Sequence, residues 1–467
     1  MREISKHPVL RFERSGSVEF IFEGKPVSAY KGETVAMALY RNGVDVFSES
    51  PKLHRPRGMF CAIGKCSSCL MRVNGVPNVR TCILPVREGM KVERQRGLGE
   101  KPSKSISYPP SKEIAKEVVI VGSGPAGLSA AITLAENGVV PLLVEQNPRP
   151  GGQLIKQTHK FFGSERENAG KRGIDIAEEM IAKLKELGVD LLLNSTAFAF
   201  YEGKTLGVFS ENRYVKIHSK YFLFATGAAE RMIPFEGNDL PGVFGAGAAQ
   251  TMMNVYGIKP GENVLMVGAG NVGLIVSYQM LQAGVNVKAV IEAAPEIGGY
   301  FVHAAKIRRF GVPIYTSTTI KKVLGRKRVE KAITISLNEK FEEIPGTENE
   351  FDVDTVCLAT GLMPSVRLLA QSGVEVKYVS SLGGYVPLRD KYLKTSLKNV
   401  YVAGDVTGVE EASTAILEGE IAAYSILSNM GKDVEDKLSK TVSELSELRS
   451  GPFGNKIISG LKEVTYE

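Results

Sequence analysis

The sequence predicts an α/β protein in which two parallel-sheet halves follow a small α+β domain, and three observations carry that prediction. A short apolar run leading into glycines and an Ala/Leu-rich segment occurs twice, as Val118-Val-Ile-Val121 before Gly122 and as Asn263-Val-Leu-Met-Val267 before Gly268, 146 residues apart. Strands that alternate with helical segments of this length imply βαβ units and parallel sheets. Ahead of both lies a segment of different character that holds four of the five cysteines within 22 residues.

Taken in chain order, residues 1–100 open with alternating Val18, Phe20 and Phe22 and a Glu23-Gly24 turn, which predict a hairpin. Gly32-Glu-Thr-Val-Ala-Met-Ala-Leu-Tyr40 has helical periodicity, and Leu70–Val73 is a short strand candidate, so the unit is β-grasp-like. Residues 101–116 are rich in Lys, Ser and Pro and read as a linker. The first βαβ half spans 117–231 and returns at 351–430, the second is inserted at 232–350, and 431–467, polar with a Gly451-Pro452 breaker, is expected to be a terminal appendage.

With 43% hydrophobic and 23% charged residues the bulk of the chain is globular rather than disordered. No run of 18 apolar residues occurs and the N-terminus MREISKHPVLRFERSG is too charged for a signal peptide, so a cytoplasmic protein without a membrane span is expected. The net charge of +7 is local: residues 1–116 hold 21 Lys and Arg against 11 Asp and Glu, the rest 37 against 40. The basic segment lacks interleaved aromatics and any helix-turn-helix or zinc-finger spacing, so no nucleic-acid partner is expected.

The first glycine motif is Gly122-Ser-Gly124-Pro125-Ala126-Gly127, set between a strand and a helix. Gly122 makes the tight turn, Gly124 lets a pyrophosphate approach the backbone at the helix N-terminus, and Gly127 allows close packing of helix on strand. Glu145 closes the next strand, 18 residues beyond Gly127, where a carboxylate can accept from an adenosine ribose. The second motif is Gly268-Ala-Gly270-Asn271-Val272-Gly273, with Glu292 19 residues further on. Glu292 repels a 2′-phosphate and no Arg follows to receive one, which favours NAD over NADP; a structural nucleotide is the alternative.

Cys61-x4-Cys66-x2-Cys69-x12-Cys82 has the plant-type spacing of a [2Fe-2S] cluster, with tetrahedral zinc as the alternative. Two ferric ions, two sulfides and four thiolates sum to about −2, a charge that amides around Gly58 and Gly64 and the side chains of Arg55, Arg57 and Lys65 are placed to offset. Cys357 lies in an apolar run and reads as a small buried hydrophobe, and His303 as a satisfied histidine or a nicotinamide contact. No Ser/His/Asp or paired-carboxylate set is present, so no side chain is assigned as catalytic.

The two glycine sites, the matching strand ends Phe224-Ala-Thr226-Gly227 and Leu358-Ala-Thr-Gly361, and Tyr401-Val-Ala-Gly404-Asp405 resemble the two-dinucleotide flavoprotein reductases, over residues ~116–430. The resemblance implies Rossmann-like domains with FAD at the first site, NAD(H) at the second, and the Asp405 carboxylate on the flavin ribityl chain; helix capping is an alternative role for Asp405. Gly151-Gly152-Gln153-Leu is similar to the flavin-contacting turn of the thioredoxin-reductase branch. A disulfide reductase of that family needs a redox cysteine pair, yet residues 117–467 contain only Cys357. With a ferredoxin-like [2Fe-2S] domain in front, the chain resembles the α subunits of heteromeric sarcosine oxidase, dye-linked L-proline dehydrogenase, opine oxidase and hydrogen cyanide synthase. That implies an electron-transfer flavoprotein partnered by a flavin-containing β subunit that oxidises an amino acid such as proline or sarcosine, an FMN between subunits, and an acceptor protein, quinone or dye. A free-standing NADH-dependent reductase and a scaffold with a structural nucleotide are the competing expectations.

Overall fold

The computed structural model describes residues 2–14, 16–100, 109–161, 164–202, 204–451 and 454–466. The chain divides into two compact units, 1–106 with 230–361 and 107–229 with 362–467.

In the first unit, Ser17–Phe22 and Lys25–Tyr30 form the predicted hairpin, turning at Glu23 and Gly24 with φ of 50° and 78°. Both values are left-handed, as a two-residue hairpin turn requires. Lys91–Arg94 pairs parallel to the first strand and antiparallel to Leu70–Val73, which pairs with Val76–Arg80 to complete a five-stranded sheet. Helix Val35–Arg41 lies against it with every residue buried. Its length of two turns cannot stand on propensity, so packing holds it.

The same unit contains a five-stranded parallel sheet in the order Val243–Gly245, Thr355–Leu358, Asn263–Val267, Asn286–Ile291, Ile314–Tyr315. The α+β domain and this sheet share one core: Phe20, Met37, Leu39 and Phe47 are contiguous with Phe244, Met252, Met266 and Cys357. Each such side chain, fully withdrawn from water, contributes about 1.5–3 kcal/mol. Two buried contacts fasten the joint: Tyr40 donates its hydroxyl to the carbonyl of Pro260 and sets its ring edge-on to Phe244 at 5.7 Å.

The second unit repeats the parallel order with Val400–Val402, Arg213–Phe224, Lys112–Val121, Leu142–Val144 and Asp190–Leu192. The long Arg213–Phe224 strand continues into an antiparallel meander with Thr205–Ser210 and Ser195–Tyr201. Helix Pro125–Glu136 packs tightly on helix Ala412–Asn429, because at Gly419 a Cβ would fall 2.2 Å from the Ala126 carbonyl oxygen.

Three expected boundaries are redrawn. Residues 101–108 of the linker lie outside the described residues, and strand Lys112–Val121 begins inside its remainder. The chain crosses between units at 229/230 and 361/362, not at 231/232 and 350/351, since the Thr355–Leu358 strand belongs to the inserted sheet. Residues 431–467 are no appendage: helix Glu435–Arg449 buries Leu438, Thr441 and Leu445, and Val434, Leu438 and Leu445 join the core around Tyr401 and Ile426. The polar composition concealed an amphipathic stripe.

Candidate functional site: two glycine turns and a four-cysteine loop

The two glycine turns are built alike. Gly122 and Gly268 both sit at φ 106°, a conformation that side chains rarely adopt, and a Cβ on either would lie 2.3 or 2.4 Å from the carbonyl oxygen of Ala225 or Ala359. A Cβ on Gly127 would lie 1.9 Å from the Gly122 oxygen, and on Gly273 2.0 Å from that of Gly268, so each helix seats directly on its turn. Gly124 and Gly270 are the N-caps, with Pro125 and Asn271 opening the helices and Ala126 and Val272 following. Each turn therefore presents free backbone N–H groups and the positive end of a helix, the arrangement that holds a pyrophosphate.

A second glycine pair backs each turn. Gly151 donates to the Ser123 carbonyl at 2.8 Å, and a Cβ on Gly152 would lie 2.6 Å from Gly124 Cα. In the other half Gly299 donates to the Ala269 carbonyl at 3.0 Å and would meet Asn271 and Gly270 at 2.8 Å. Sequence reading singled out Gly152 and Gln153, the latter opening a short 3-10 turn, but missed Gly298-Gly299, whose signal was its equivalent spacing after the second motif.

The two acids differ. Glu145, buried, accepts from Ser123 N at 3.0 Å and Oγ at 2.7 Å with one oxygen, and from Asn147 N and Nδ2 at 2.8 Å with the other. Four donors match the four lone-pair directions of a carboxylate, so a ribose hydroxyl has to compete with Asn147 or Ser123. Glu292 accepts from the amides of Ala269 at 2.7 Å and Ala294 at 3.0 Å.

Strand ends complete each crevice: Thr226 donates to the Ser365 carbonyl and Thr360 to that of Arg231, each at 3.0 Å, with Gly227 and Gly361 at positive φ. Gly404, at φ 79°, packs on Ala126, and Asp405 follows it in a turn. The N-cap of the next helix is Glu411, so Asp405 is not its cap. Burial pushes the Asp405 carboxyl up to about 7, with Glu418 and Glu410 adding to the effect and the Glu410 amide opposing it.

The four cysteines converge. Their sulfurs form a chain of contacts from Cys66 to Cys61, Cys61 to Cys82 and Cys82 to Cys69, and amides point at them: Ile63 and Cys66 at Cys61, Ser68 at Cys66, Cys82 at Cys69, and Gly64 at Cys82 at 3.3 Å. Amide donors aimed at sulfur are what thiolates bound to a metal cluster need, so the donor set fits a [2Fe-2S] group. As placed, no group of three or more His, Cys, Asp or Glu among the described residues could hold a metal ion, so the fit rests on ligand type and donors rather than on spacing. Gly64 is required here, at φ 71° with Ile83 2.8 Å from where a Cβ would stand. Arg55 and Arg57, expected to face the cluster, pair instead with Asp239 at 3.7 and 3.1 Å. Arg80, unanticipated, donates to the Cys66 carbonyl at 3.3 Å.

The remaining candidates are structural. Cys357 is fully buried in strand Thr355–Leu358 and its thiol is pushed well up by that burial. His303 is buried at 4% exposure, and desolvation, with Lys306 beside it, lowers it to about 4, so it is neutral at pH 7. Among the described residues no helix is long and apolar enough to cross a membrane.

Paired glycine turns at the carboxyl ends of parallel strands, with a four-cysteine loop bonded to the edge strand of one sheet, define a flavin oxidoreductase with a 2Fe-2S domain. The chain belongs to the pyridine nucleotide-disulphide oxidoreductase family, which matches residues 116–419, and a 2Fe-2S iron-sulfur cluster binding domain matches residues 15–97. It is 25% identical to the alpha subunit of sarcosine oxidase from Rhizobium meliloti over 90% of this chain and 46% of that protein, so it spans about half the length of that relative. It is 27% identical to an opine oxidase subunit of the same organism over 69% of this chain and 73% of that one. The crystal structure of L-proline dehydrogenase from P. horikoshii superposes with a TM-score of 0.71 at 26% identity, covering 94% of this chain and 79% of that one.

Proposed function

We propose that the chain is the electron-transferring α subunit of a heteromeric amino-acid dehydrogenase or oxidase acting on a secondary amine such as proline or sarcosine. The observation that carries this reading is the combination of a complete flavoprotein scaffold with a four-cysteine loop and no thiol in the unit of the flavin-type turn. The unit that carries the flavin-type turn, 107–229 with 362–467, contains no cysteine, and Cys357 of the other unit is buried, so a dithiol relay beside that turn has no residues to run on. The names of the relatives, all subunits of multi-subunit oxidases, support the same reading.

In this reading the turn Gly122–Gly127, with Glu145, Gly152, Gln153, Thr226, Gly227, Gly404 and Asp405, holds FAD; Gly268–Gly273 and Glu292 hold NAD(H); and Cys61, Cys66, Cys69 and Cys82 hold a [2Fe-2S] cluster. A bound flavin accepts electron pairs and releases them one at a time, which is what a one-electron cluster can take up. The protein's own part is positional: helix N-termini fix the pyrophosphates, Asp405 orients the flavin side chain, and the amides around the cysteines stabilise thiolate charge. No proton-transfer residue is required, and none is assigned. An FMN at a subunit interface and a flavin-bearing β subunit belong to the same proposal.

The completeness of the second turn favours one other reading, a self-sufficient NADH-dependent reductase. Anaerobic titration of the purified chain separates them. Bleaching of the flavin band by NADH, followed by cluster reduction, supports the reductase. No bleaching by NADH, together with reduction by amino acid once the partner chain is added, supports the α-subunit reading; reduction by neither overturns both.

A further inference from the structure

Behind the turn that carries Asp405 lies a buried charge network. Glu418, 2% exposed, uses one carboxylate oxygen to accept from Gly404 N and Thr407 Oγ1, both at 2.8 Å, which ties it to the start of the turn. Its other oxygen accepts from Arg449 Nη2 at 2.7 Å, with Arg389 Nη2 at 3.9 Å. Arg449 forks onto Glu410 as well, Nε reaching one oxygen at 3.0 Å and Nη2 the other. Glu410 ends the turn, and its amide donates to the Asp405 carboxylate. Both ends of the turn are thus tied, through two carboxylates, to one guanidinium.

That guanidinium comes from the last residue of helix Glu435–Arg449. Arg389, 3% exposed, is fastened to the far end of the chain, exchanging backbone hydrogen bonds with Val464 and Tyr466 and donating Nη1 to Thr465 at 2.9 Å. The charged groups around the turn are therefore Glu410 from the turn itself, Glu418 from helix Ala412–Asn429, Arg449 from helix Glu435–Arg449, and Arg389, itself beside Asp390. A bidentate arginine shared by two carboxylates both orients them and offsets their charge.

We infer that Arg449 is a positioning residue for the flavin site: by pairing with Glu410 and Glu418 it holds the 404–410 turn in shape and keeps Asp405 ionisable where the flavin side chain is held. The inference rests on the reading that Gly404-Asp405 faces FAD. Removing Arg449 leaves Glu410 without its cation and Glu418 with only Arg389 at 3.9 Å, beside Asp405, and drives its protonation to higher pH. An ionised Asp405 accepts hydrogen bonds from flavin hydroxyls, so affinity for FAD rises as the pH rises through its titration.

The test measures FAD rebinding to the flavin-stripped full chain from about pH 5.5 to 8.5 for the parent, Arg449→Gln, Arg449→Lys, and Arg449→Met combined with Glu410→Gln. The midpoint of the affinity profile is expected to move up by about one unit in Arg449→Gln, which is about a tenfold loss of affinity below the parent midpoint that fades above the new one. Arg449→Lys restores most of it, and the double variant, which removes one charge of each sign, lies between. An unchanged midpoint, or a loss equal at every pH that Lys does not rescue, overturns the inference. If Arg449→Gln fails to fold, the Lys and double variants decide by the same criterion. A parent chain that binds no FAD at any pH sinks the functional reading instead.

Discussion

At the edge strand that opens each five-stranded order the two parallel-sheet halves part company. In one, Val400–Val402 leads to Gly404 and Asp405, and the following helix sends back Glu418 to hold the turn. In the other, Val243–Gly245 leads straight into helix Ala246–Tyr256, whose Gly247 amide donates to Glu230, and Gly245 donates to the carbonyl of Phe60, the residue before Cys61. Phe60 and Cys61 share a core there with Val243, Leu265 and Ile291. Four strands of the scaffold are used the same way twice, while the edge strand presents a carboxylate in one half and docks the four-cysteine loop in the other. A duplicated fold keeps its glycine turns and diversifies at its edge, where substitution disturbs the fewest neighbours.

The largest effects are expected where the halves are alike. Gly127→Val should abolish flavin content while leaving nucleotide binding at the second turn, and Gly273→Val should do the reverse, because each Cβ falls about 2 Å from a carbonyl oxygen that cannot retreat. Flavin-to-protein ratio and calorimetric nucleotide titration read the two outcomes, and loss of both ligands in either variant would break the claim that the turns act independently.

Next comes the docked loop. Cys61→Ser should remove the cluster's visible and paramagnetic signals with flavin retained, whereas Cys357→Ser, at a buried site with no ligand role, should keep both and cost about 1–3 kcal/mol of stability. A cluster that survives Cys61→Ser refutes the ligand set.

The halves should also answer pH in opposite senses. Asp405 has its folded value raised to about 7, so the stability it contributes is full below the ordinary carboxylate range and lost as pH rises through 7. His303 is lowered to about 4, so its contribution is full above the ordinary imidazole value and lost as pH falls from there toward 4. In flavin-free protein both effects fall between about pH 4 and 7, where Asp405→Asn should remove a loss of stability with rising pH and His303→Gln a loss with falling pH, by about 1 kcal/mol or more each. Thermal midpoints across that pH range check it, and identical profiles in parent and variants would count against both assignments. Smallest of all, Asp239→Asn releases Arg55 and Arg57, which are partly exposed, and should cost about 0.5–1 kcal/mol in a urea titration with cluster and flavin retained.

Much of this was written locally. Gly122, Gly127, Gly268 and Gly273 could be read because a positive φ or a contact below 3 Å admits only glycine, and the constraint appears as the residue itself. The spacing of Cys61, Cys66, Cys69 and Cys82 was legible for the same reason, since one loop and one hairpin bring them together. The period of the apolar runs was enough to predict two parallel sheets.

Other features have no local signature. That Glu145 spends its oxygens on Ser123 and Asn147, that Arg55 and Arg57 turn to Asp239, that the α+β domain shares its core with the inserted sheet, and that Arg449 reaches Glu410 and Glu418 from 39 and 31 residues away are facts of contact between distant segments. Sequence by itself determined the two turns and the cysteine set, because backbone sterics and short loop closure act within a few residues. Only the tertiary structure decided which charges meet and which surface the cysteine loop covers, because the partners of a buried charge are chosen by packing, and packing leaves no periodic trace in the chain.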